Sequence, residues 1–599
     1  LRGSFFTFRV ATTGMHTARN NLNVTAHNVA NIGIPGFSRQ VTVQGALPAI
    51  NNRDGRGMFG TGSAVTNVMQ MRDQFIDRRF WSQNGFLGEF AVKVPQLSLI
   101  EAIFNDLPEN STVGVLGAFN DFFSRVQELT RESQDGTFRL NILLAGETLS
   151  QMVRSNAESL RQQQHDINGE VRAVVTEMNS IGSQIASLNE QIRGIEFSGS
   201  YANDLRDTRA LLLDRLSELV NISVEERDFS ATSGIPNDRR LLVQINGTDF
   251  VSHDTLHRLE VVPRTDAQRR NTMDVDGLYD VKFSGGAEFN IYSRTLTGTL
   301  KGLIDVRDGN ATNATMVRWR VDRATAIDLA DPTSANFDPA FREWLIGLLP
   351  REASIDSPNT WPTFINMEEW QAAAAPINLA GLTPVATNDF KGIPFYMNRL
   401  NEMIRVFVGA INDGVDVNGN PINGVNPGGH RTGYALNGDS GRAFFTWINP
   451  VTGLPVDGLN DRHLLNALNF DINSVLRANP NLLQNANDPT SGESDNSVIL
   501  GFIRVGDYPS LFREGSLMDF VIATTSHLAI DSQQAHRFLL NYTEMTTATL
   551  NRRASISDPD MNEEMLNMER FRQLYTVNAR MISTMNDIYD TLINRLGVG

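Results

Sequence analysis

The stretch "NVTAHNVANIGIPGFSRQVTV" at residues 23–43 changes character halfway, and that change decides how the chain is organised. Upstream of it, Phe8, Ala11, Met15, Ala18, Leu22, Thr25 and Val29 recur at alternating steps of three and four, the seam of a helix over residues 5–31. Asn31 and Gly33 can take the left-handed conformation that closes a helix, and Pro35 cannot continue one, so "NIGIPG" is a stop and a turn. Beyond it Phe37, Arg39, Val41 and Val43 alternate with Ser38, Gln40, Thr42 and Gln44, the period of a half-buried strand. A narrow helix cut off in this way from the rest of the chain needs a partner to bury its seam.

The partner candidate lies at the other end. In "MNEEMLNMERFRQLYTVNARMISTMNDIYDTLINRLGVG" (561–599), Met561, Met565, Met568, Arg572, Tyr575, Ala579, Ile582, Asn586, Tyr589, Ile593 and Leu596 form one seam. Phe571, Leu574, Met581, Met585, Ile588 and Leu592 form a second beside it. A helix apolar over so much of its circumference cannot be covered by one neighbour. The "SDPD" stop at 557–560 separates it from the preceding domain, as "NIGIPG" does for the first helix. Two such helices can pair, but the second C-terminal stripe stays open, and a large exposed apolar patch marks an assembly surface. The residues expected at that interface are Phe8, Met15, Leu22, Val29, Met565, Met568, Phe571, Tyr575, Ile582, Met585, Tyr589, Leu592 and Leu596. In the free monomer these ends are expected to be disordered, because helices without tertiary partners are marginal in water.

Between the ends, the strongest periodicity runs from Val153 to Ile195, where twelve of thirteen seam positions are apolar and only Gln164 is polar. At about 1.5 Å per residue it predicts a rod of roughly 65 Å, which must pack against other long helices. Candidates are 116–133, 203–220 and 511–553. From residue 222 short alternating runs such as "RRLLVQING" (239–247) and "GLYDVKFSG" (277–285) predict antiparallel β structure. A helix starts again in 295–309. Residues 310–390 hold four of the six tryptophans, Trp319, Trp344, Trp361 and Trp370, and read as an inserted unit with its own small core. The expectation is an α+β multidomain chain. Its parts are a terminal coiled-coil domain (1–36 and 560–599), a long-helix rod domain (37–221 and 500–559), a β-rich outer domain (222–309 and 391–499) and the insertion (310–390).

Composition narrows the function. With 599 residues the chain can bury more than one core. A net charge of −16 sets the electrostatics against nucleic acid and anionic membranes, which are bound through clustered Lys and Arg. No apolar run is long enough to span a membrane, and the first residues lack the apolar block of a Sec signal. The absence of cysteine excludes disulfides, thiolate metal sites and cysteine nucleophiles.

The chemical motifs each have a plainer reading. "GDSG" (438–441) echoes a serine-protease nucleophile loop, but Arg442 follows where that loop has glycine and no segment supplies the histidine base. His253 and His257 in "HDTLH" lack a third metal ligand, and "DVNGN" (416–420) has Gly414 and Val425 where a calcium loop needs its first and last ligands. Glu563 and Glu564 sit in the first turn of the C-terminal helix, where they complement its dipole. No catalytic, cofactor-binding or metal-ligating residue is nominated, and no enzyme activity is expected. A different class of function would be a surface adhesin or glycan-binding module in the insertion, its tryptophans stacking on sugars.

"NNLNVTAHNVANIGIPGFSRQ" (20–40), "YANDLRDTRALLLDRLSELV" (201–220), "GTLKGLIDVRDG" (298–309) and the segment 561–599 resemble, in that order, the rod, hook and hook-associated proteins of the bacterial flagellum. The "SRQ" version of the first motif is that of the hook–filament junction proteins; the alternatives within the family are a hook or distal-rod protein. Where the family runs one continuous helix, the insertion interrupts it and "FYMNRLNEMIRVFVGAIND" (395–413) resumes it. The resemblance implies a secreted, extracellular structural protein, exported unfolded through the flagellar type III channel and assembled as a ring between hook and filament. It implies as partners other copies of the chain, the hook protein, the second junction protein and an export chaperone at the C-terminal region, with no nucleic acid, membrane or cofactor.

Overall fold

The computed structural model describes residues 4–51, 58–104, 114–233, 238–265, 269–271, 273–285, 289–311, 388–426, 428–449, 453–458, 464–490 and 494–591, and the backbone of Arg318–Arg320, Phe364–Asn366 and Thr383–Pro384. Helix α1 (Ser4–Ala30) ends in the turn read from the sequence. Gly33 and Gly36 take φ of +83° and +81°, where side chains are strained. At Gly36 a Cβ would also lie 2.5 Å from the Leu211 side chain. Strands β1 (Gln40–Ala46) and β2 (Ser63–Gln70) then pair antiparallel, with a bulge between Val43 and Gln44. The hairpin lies along α1, where Thr42 Oγ1 donates to Asn21 Oδ1 at 2.6 Å and Thr17 Oγ1 to the Ser63 carbonyl at 3.1 Å. Its inward side is the polar one: Ser38 and Gln40 are buried while Val43 is exposed.

The body is a stack of long helices: α2 (Gln74–Phe104), α3 (Gly114–Arg131), α4 (Gly136–Glu196), α5 (Asn203–Leu219), α6 (Thr299–Asp308), α7 (Ile393–Asp413), α8 (Ser497–Asp507) and α9 (Leu517–Ser557). Asp135 caps α4 by accepting the Thr137 N–H at 2.7 Å. At 61 residues α4 is a rod of about 90 Å. Val153, Ala157, Leu160, Ile167, Val171, Met178 and Ile185 are sealed from solvent against α3, α5, α6 and α7, whereas Ile195 emerges at the rod's end. Helix α9 runs along α2, with Tyr542 stacked on Phe86 at 4.8 Å and Phe538 on Phe90 at 5.0 Å.

The β segments lie at two places on α4. Strands β3 (Ile222–Asp228), β4 (Arg239–Ile245), β5 (Thr248–Ser252) and β6 (Thr255–Leu256) form a meander in sequence order, and β7 (Leu259–Pro263) pairs with β8 (Tyr279–Phe283). Polar side chains of α4 fasten their backbone. Asn179 exchanges two hydrogen bonds with Leu259, Asn189 donates to the His253 carbonyl, and Gln164 accepts the Val275 N–H while donating to Asp274 and the Arg307 carbonyl. A second sheet, β9 (Phe445–Ile448) between β10 (Pro455–Val456) and β11 (Phe470–Ile472), covers the other end of α4, where Ile472 fills the space left by Gly146. The molecule is α+β and multidomain.

Of the insertion, Arg318–Arg320 pairs with Phe364–Asn366 and Thr383–Pro384 in one sheet. Trp344, Trp361, Trp370 and the side chain of Trp319 lie outside the described residues. Its two ends meet at a stem in which the Ala311 N–H donates to the Phe390 carbonyl and the Asn388 N–H to Asn310 Oδ1.

Candidate functional site

Helix α10 (Met561–Asp590) is capped by Asp560, whose carboxylate accepts the N–H groups of Asn562 and Glu563. It packs lengthwise against α1. The contact admits small side chains on α1: Ala11 and Ala18 are buried, and a Cβ at Gly14 would lie 2.7 Å from Asn578 Oδ1. The α1 residues expected at the interface, Phe8, Met15, Leu22 and Val29, are half-buried. So are Met568, Phe571, Ile582, Met585 and Tyr589 on α10. With Tyr575 at the step between Phe571 and Asn578, these positions fall at the three-and-four spacing of a single seam. Tyr575 and Met565 are exposed, and Leu592 and Leu596 lie outside the described residues.

One helix cannot cover α10. Met561, Met565, Leu566, Leu574, Val577, Met581 and Ile588 stand between 41% and 72% exposed, and Glu564 is the one buried residue among those described in this helix. Of the second stripe read from the sequence, Leu574, Met581 and Ile588 stand exposed, with Leu566 and Val577 on the same face, whereas Phe571 and Met585 are half-buried.

Sequence reasoning missed how this pair is anchored. The polar letters of the opening stretch do the anchoring. Asn28 is buried and exchanges two 2.9 Å hydrogen bonds with the Gln40 backbone, pinning the strand onto the end of α1. The Ser38 N–H donates to Asp207 Oδ2 at 2.9 Å, and Gln40 Nε2 to Asp204 Oδ1 at 2.8 Å, which ties the turn to α5. Arg39 donates its N–H to the Ser557 carbonyl at the end of α9, and its guanidinium meets Glu563 at 2.8 Å and Glu564 at 2.6 Å. Beneath lies a second layer. Arg72 pairs with Asp77 at 2.7 Å, Arg553 with Asp214 at 2.8 Å while lying over the Phe80 ring, and Trp81 Nε1 donates to Asp214 at 2.7 Å. Burial raises the Asp207 carboxyl above its usual range, against the pull of Ser38 and Arg72. Burial also works against the Arg39 charge, but its bond to Glu563 and the nearby Glu564 hold its pKa above the ordinary arginine value. The signal available in the sequence was the density of Asn, Arg and Asp in stretches whose apolar period left them unexplained.

The chemical motifs have structural duties. His430 is buried beside the "GDSG" turn, its Nδ1 on the Arg442 carbonyl at 2.9 Å and its Nε2 accepting the Gln484 N–H at 3.1 Å, so both nitrogens are engaged by backbone and neither serves Ser440. Asp416 accepts the N–H groups of Asn418 and Asn420 within its own turn. Among the described residues no group of three metal-ligating side chains converges, and no helix is long and apolar enough to cross a membrane.

In sequence the chain is similar to known proteins over nearly its whole length. The family described as the flagellar hook-associated protein FlgK helical domain matches residues 97–324. Flagellar hook-associated protein 1 of Bacillus subtilis (strain 168) is 25% identical over 602 residues, covering 98% of each chain. Its counterpart from Escherichia coli (strain K12) is 24% identical over 597 residues, again 98% of each. The solved structure of the flagellar hook junction protein FlgK from Burkholderia pseudomallei aligns with a TM-score of 0.47 and 12% identity, covering 80% of this chain and 100% of that one. With the helical domain matched over 97–324 and the likeness to flagellar hook-associated protein 1 running from end to end, the chain is similar to that family throughout its length.

Proposed function

We propose that this chain is a structural subunit of the bacterial flagellum at the junction between hook and filament, where copies stack through their terminal helix pairs. The observation that carries the reading is the apolar stripe Leu566, Leu574, Val577, Met581 and Ile588 of α10, which α1 leaves in water. Such a stripe on a secreted chain finds cover only against neighbours. The interface then comprises Phe8, Met15, Leu22 and Val29 of α1 with the apolar residues of α10, closing into a ring that meets the hook protein on one side and the second junction protein on the other. An export chaperone covers the C-terminal stripe before assembly. The division of labour is that of four parts: terminal pair (1–36 and 560–599), long-helix body (37–221 and 500–559), β-rich outer part (222–309 and 391–499) and insertion (310–390). The work is mechanical and involves no catalytic step.

The test is complementation of a strain that lacks its own copy and makes hooks without filaments. This chain is expected to restore filaments. Leu22→Asp or Ile582→Asp is expected to abolish restoration while the circular dichroism of the purified body stays unchanged. Restoration by both variants at the native level would refute assembly through these helices.

A further inference from the structure

We propose that Arg39 is a positioning residue that fixes the angle between the terminal helix pair and the long-helix body. The proposal rests on the reading above that the pair is the assembling element. Both chain crossings between pair and body occur at one place, and Arg39 spans them. On the C-terminal crossing, three residues, Asp558, Pro559 and Asp560, separate α9 from α10. A proline-containing link of that length makes a hinge, since no helical hydrogen bond carries through it. Arg39 grips both sides of this hinge. Its backbone N–H caps the end of α9 at the Ser557 carbonyl, 2.6 Å away, and its side chain holds Glu563 and Glu564 in the first turn of α10. Its own carbonyl accepts the Met71 N–H at 2.7 Å, so the grip is mounted on the β1–β2 hairpin.

The energetics favour a latch over a decorative surface pair. The Glu563 side chain is 58% exposed, but that of Glu564 is 2% exposed and that of Arg39 12%. A buried carboxylate stripped of its cation must find water. For Glu564 the available route is outward rotation of the first turn of α10, which carries that helix with it. Helix α1 stays on the hairpin through the two Asn28–Gln40 bonds, so the swing of α10 also strains its seam with α1.

The chain has no cysteine, so paired spin labels can be placed at will. The full-length chain carrying Ser183→Cys on α4 and Ser583→Cys on α10, both exposed, gives the distance distribution between body and pair by pulsed electron resonance. Arg39→Gln is expected to widen that distribution at least twofold while thermal unfolding of the body is unchanged, and to lower filament restoration at least tenfold. Glu563→Gln, at an exposed site that does not threaten folding, is expected to widen it less and in the same direction. Arg39→Lys, which keeps the charge, should recover most of the native width. Unchanged widths in both Arg39→Gln and Glu563→Gln would overturn the proposal. So would a widened distribution with native filament yield, which leaves the junction assignment standing. Failure of the unaltered chain to restore filaments would remove the functional reading while the distances still report on the latch.

Discussion

Asn28 shows how much a single polar letter can decide. Its amide satisfies both backbone groups of Gln40 inside the protein, so Asn28→Ala removes two hydrogen bonds and leaves a buried N–H and C=O unpaired. The expected cost is about 2–4 kcal/mol, read as a fall in the urea midpoint, with the strand 40–46 losing hydrogen-exchange protection first. His430 makes a different residue-scale prediction. Burial pushes its pKa down to about 4, so the unfolded chain, with an ordinary value near 6.5, takes up the proton first as pH falls. Its contribution is intact above pH 6.5 and is lost between about 6.5 and 4, on the order of 3 kcal/mol in all. In His430→Gln the stability difference between pH 7 and pH 4.5 should shrink accordingly; an unchanged difference would show that another group sets the acid limit. Neither role was legible. Asn28 stood outside the apolar seam, beside Val29, and His430 sat in a loop with no period.

Among the elements, legibility followed apolar period. Helices α1, α5, α6 and α7 were read close to their observed ends because each keeps one apolar face over many turns, whereas α4, read over 153–195, begins 17 residues earlier at Gly136. Helix α2 was missed altogether, and its buried face explains why. That face carries Gln83, Asn84, Gly85, Gly88, Glu89 and Lys93, followed by Pro95 within the helix. Glycines there allow backbone contact: a Cβ at Gly88 would lie 2.1 Å from the Glu218 carbonyl oxygen, and one at Gly85 2.6 Å from Thr297 Oγ1. Lys93 is held by Glu89 at 2.5 Å and Asp305 at 2.6 Å, and Lys301 reaches Asp305 at 2.5 Å, so the charges cancel inside. This polar middle splits the apolar face of the helix into two short groups, Ile76, Phe80 and Trp81 before it and Leu97, Ile100 and Phe104 after it, and neither is long enough to show a period. Gly88→Ala must therefore push α5 away from α2, and a loss of about 1–3 kcal/mol is expected in calorimetric unfolding of the body. By contrast Gly194→Ala, at a helical position where a Cβ meets nothing, should gain up to about 1 kcal/mol. Equal effects at the two sites would mean that the α2–α5 contact is looser than the distances require.

For the whole molecule, the two ends and the body differ in how they are held. The body buries several sheets and helices around α4, whereas the terminal pair buries one seam and leaves seven large apolar side chains of α10 in solvent. Its opening should therefore cost far less than opening the body, since local stability follows the apolar area a segment conceals. The anchorage at Ser38, Arg39 and Gln40 sets where that cheap opening stops. Limited proteolysis of the dilute chain is expected to cut first in 31–36 and 558–560, releasing α1 and α10 and leaving a folded body from about Ser38 to Ser557. Leu574→Asp and Met581→Asp, placed on the open stripe, should alter the stability of the lone chain by less than about 0.5 kcal/mol, yet prevent its incorporation between hook and filament. If the ends resist protease as long as the body does, the pair is self-sufficient and the stripe on α10 is no longer a reason for copies to associate.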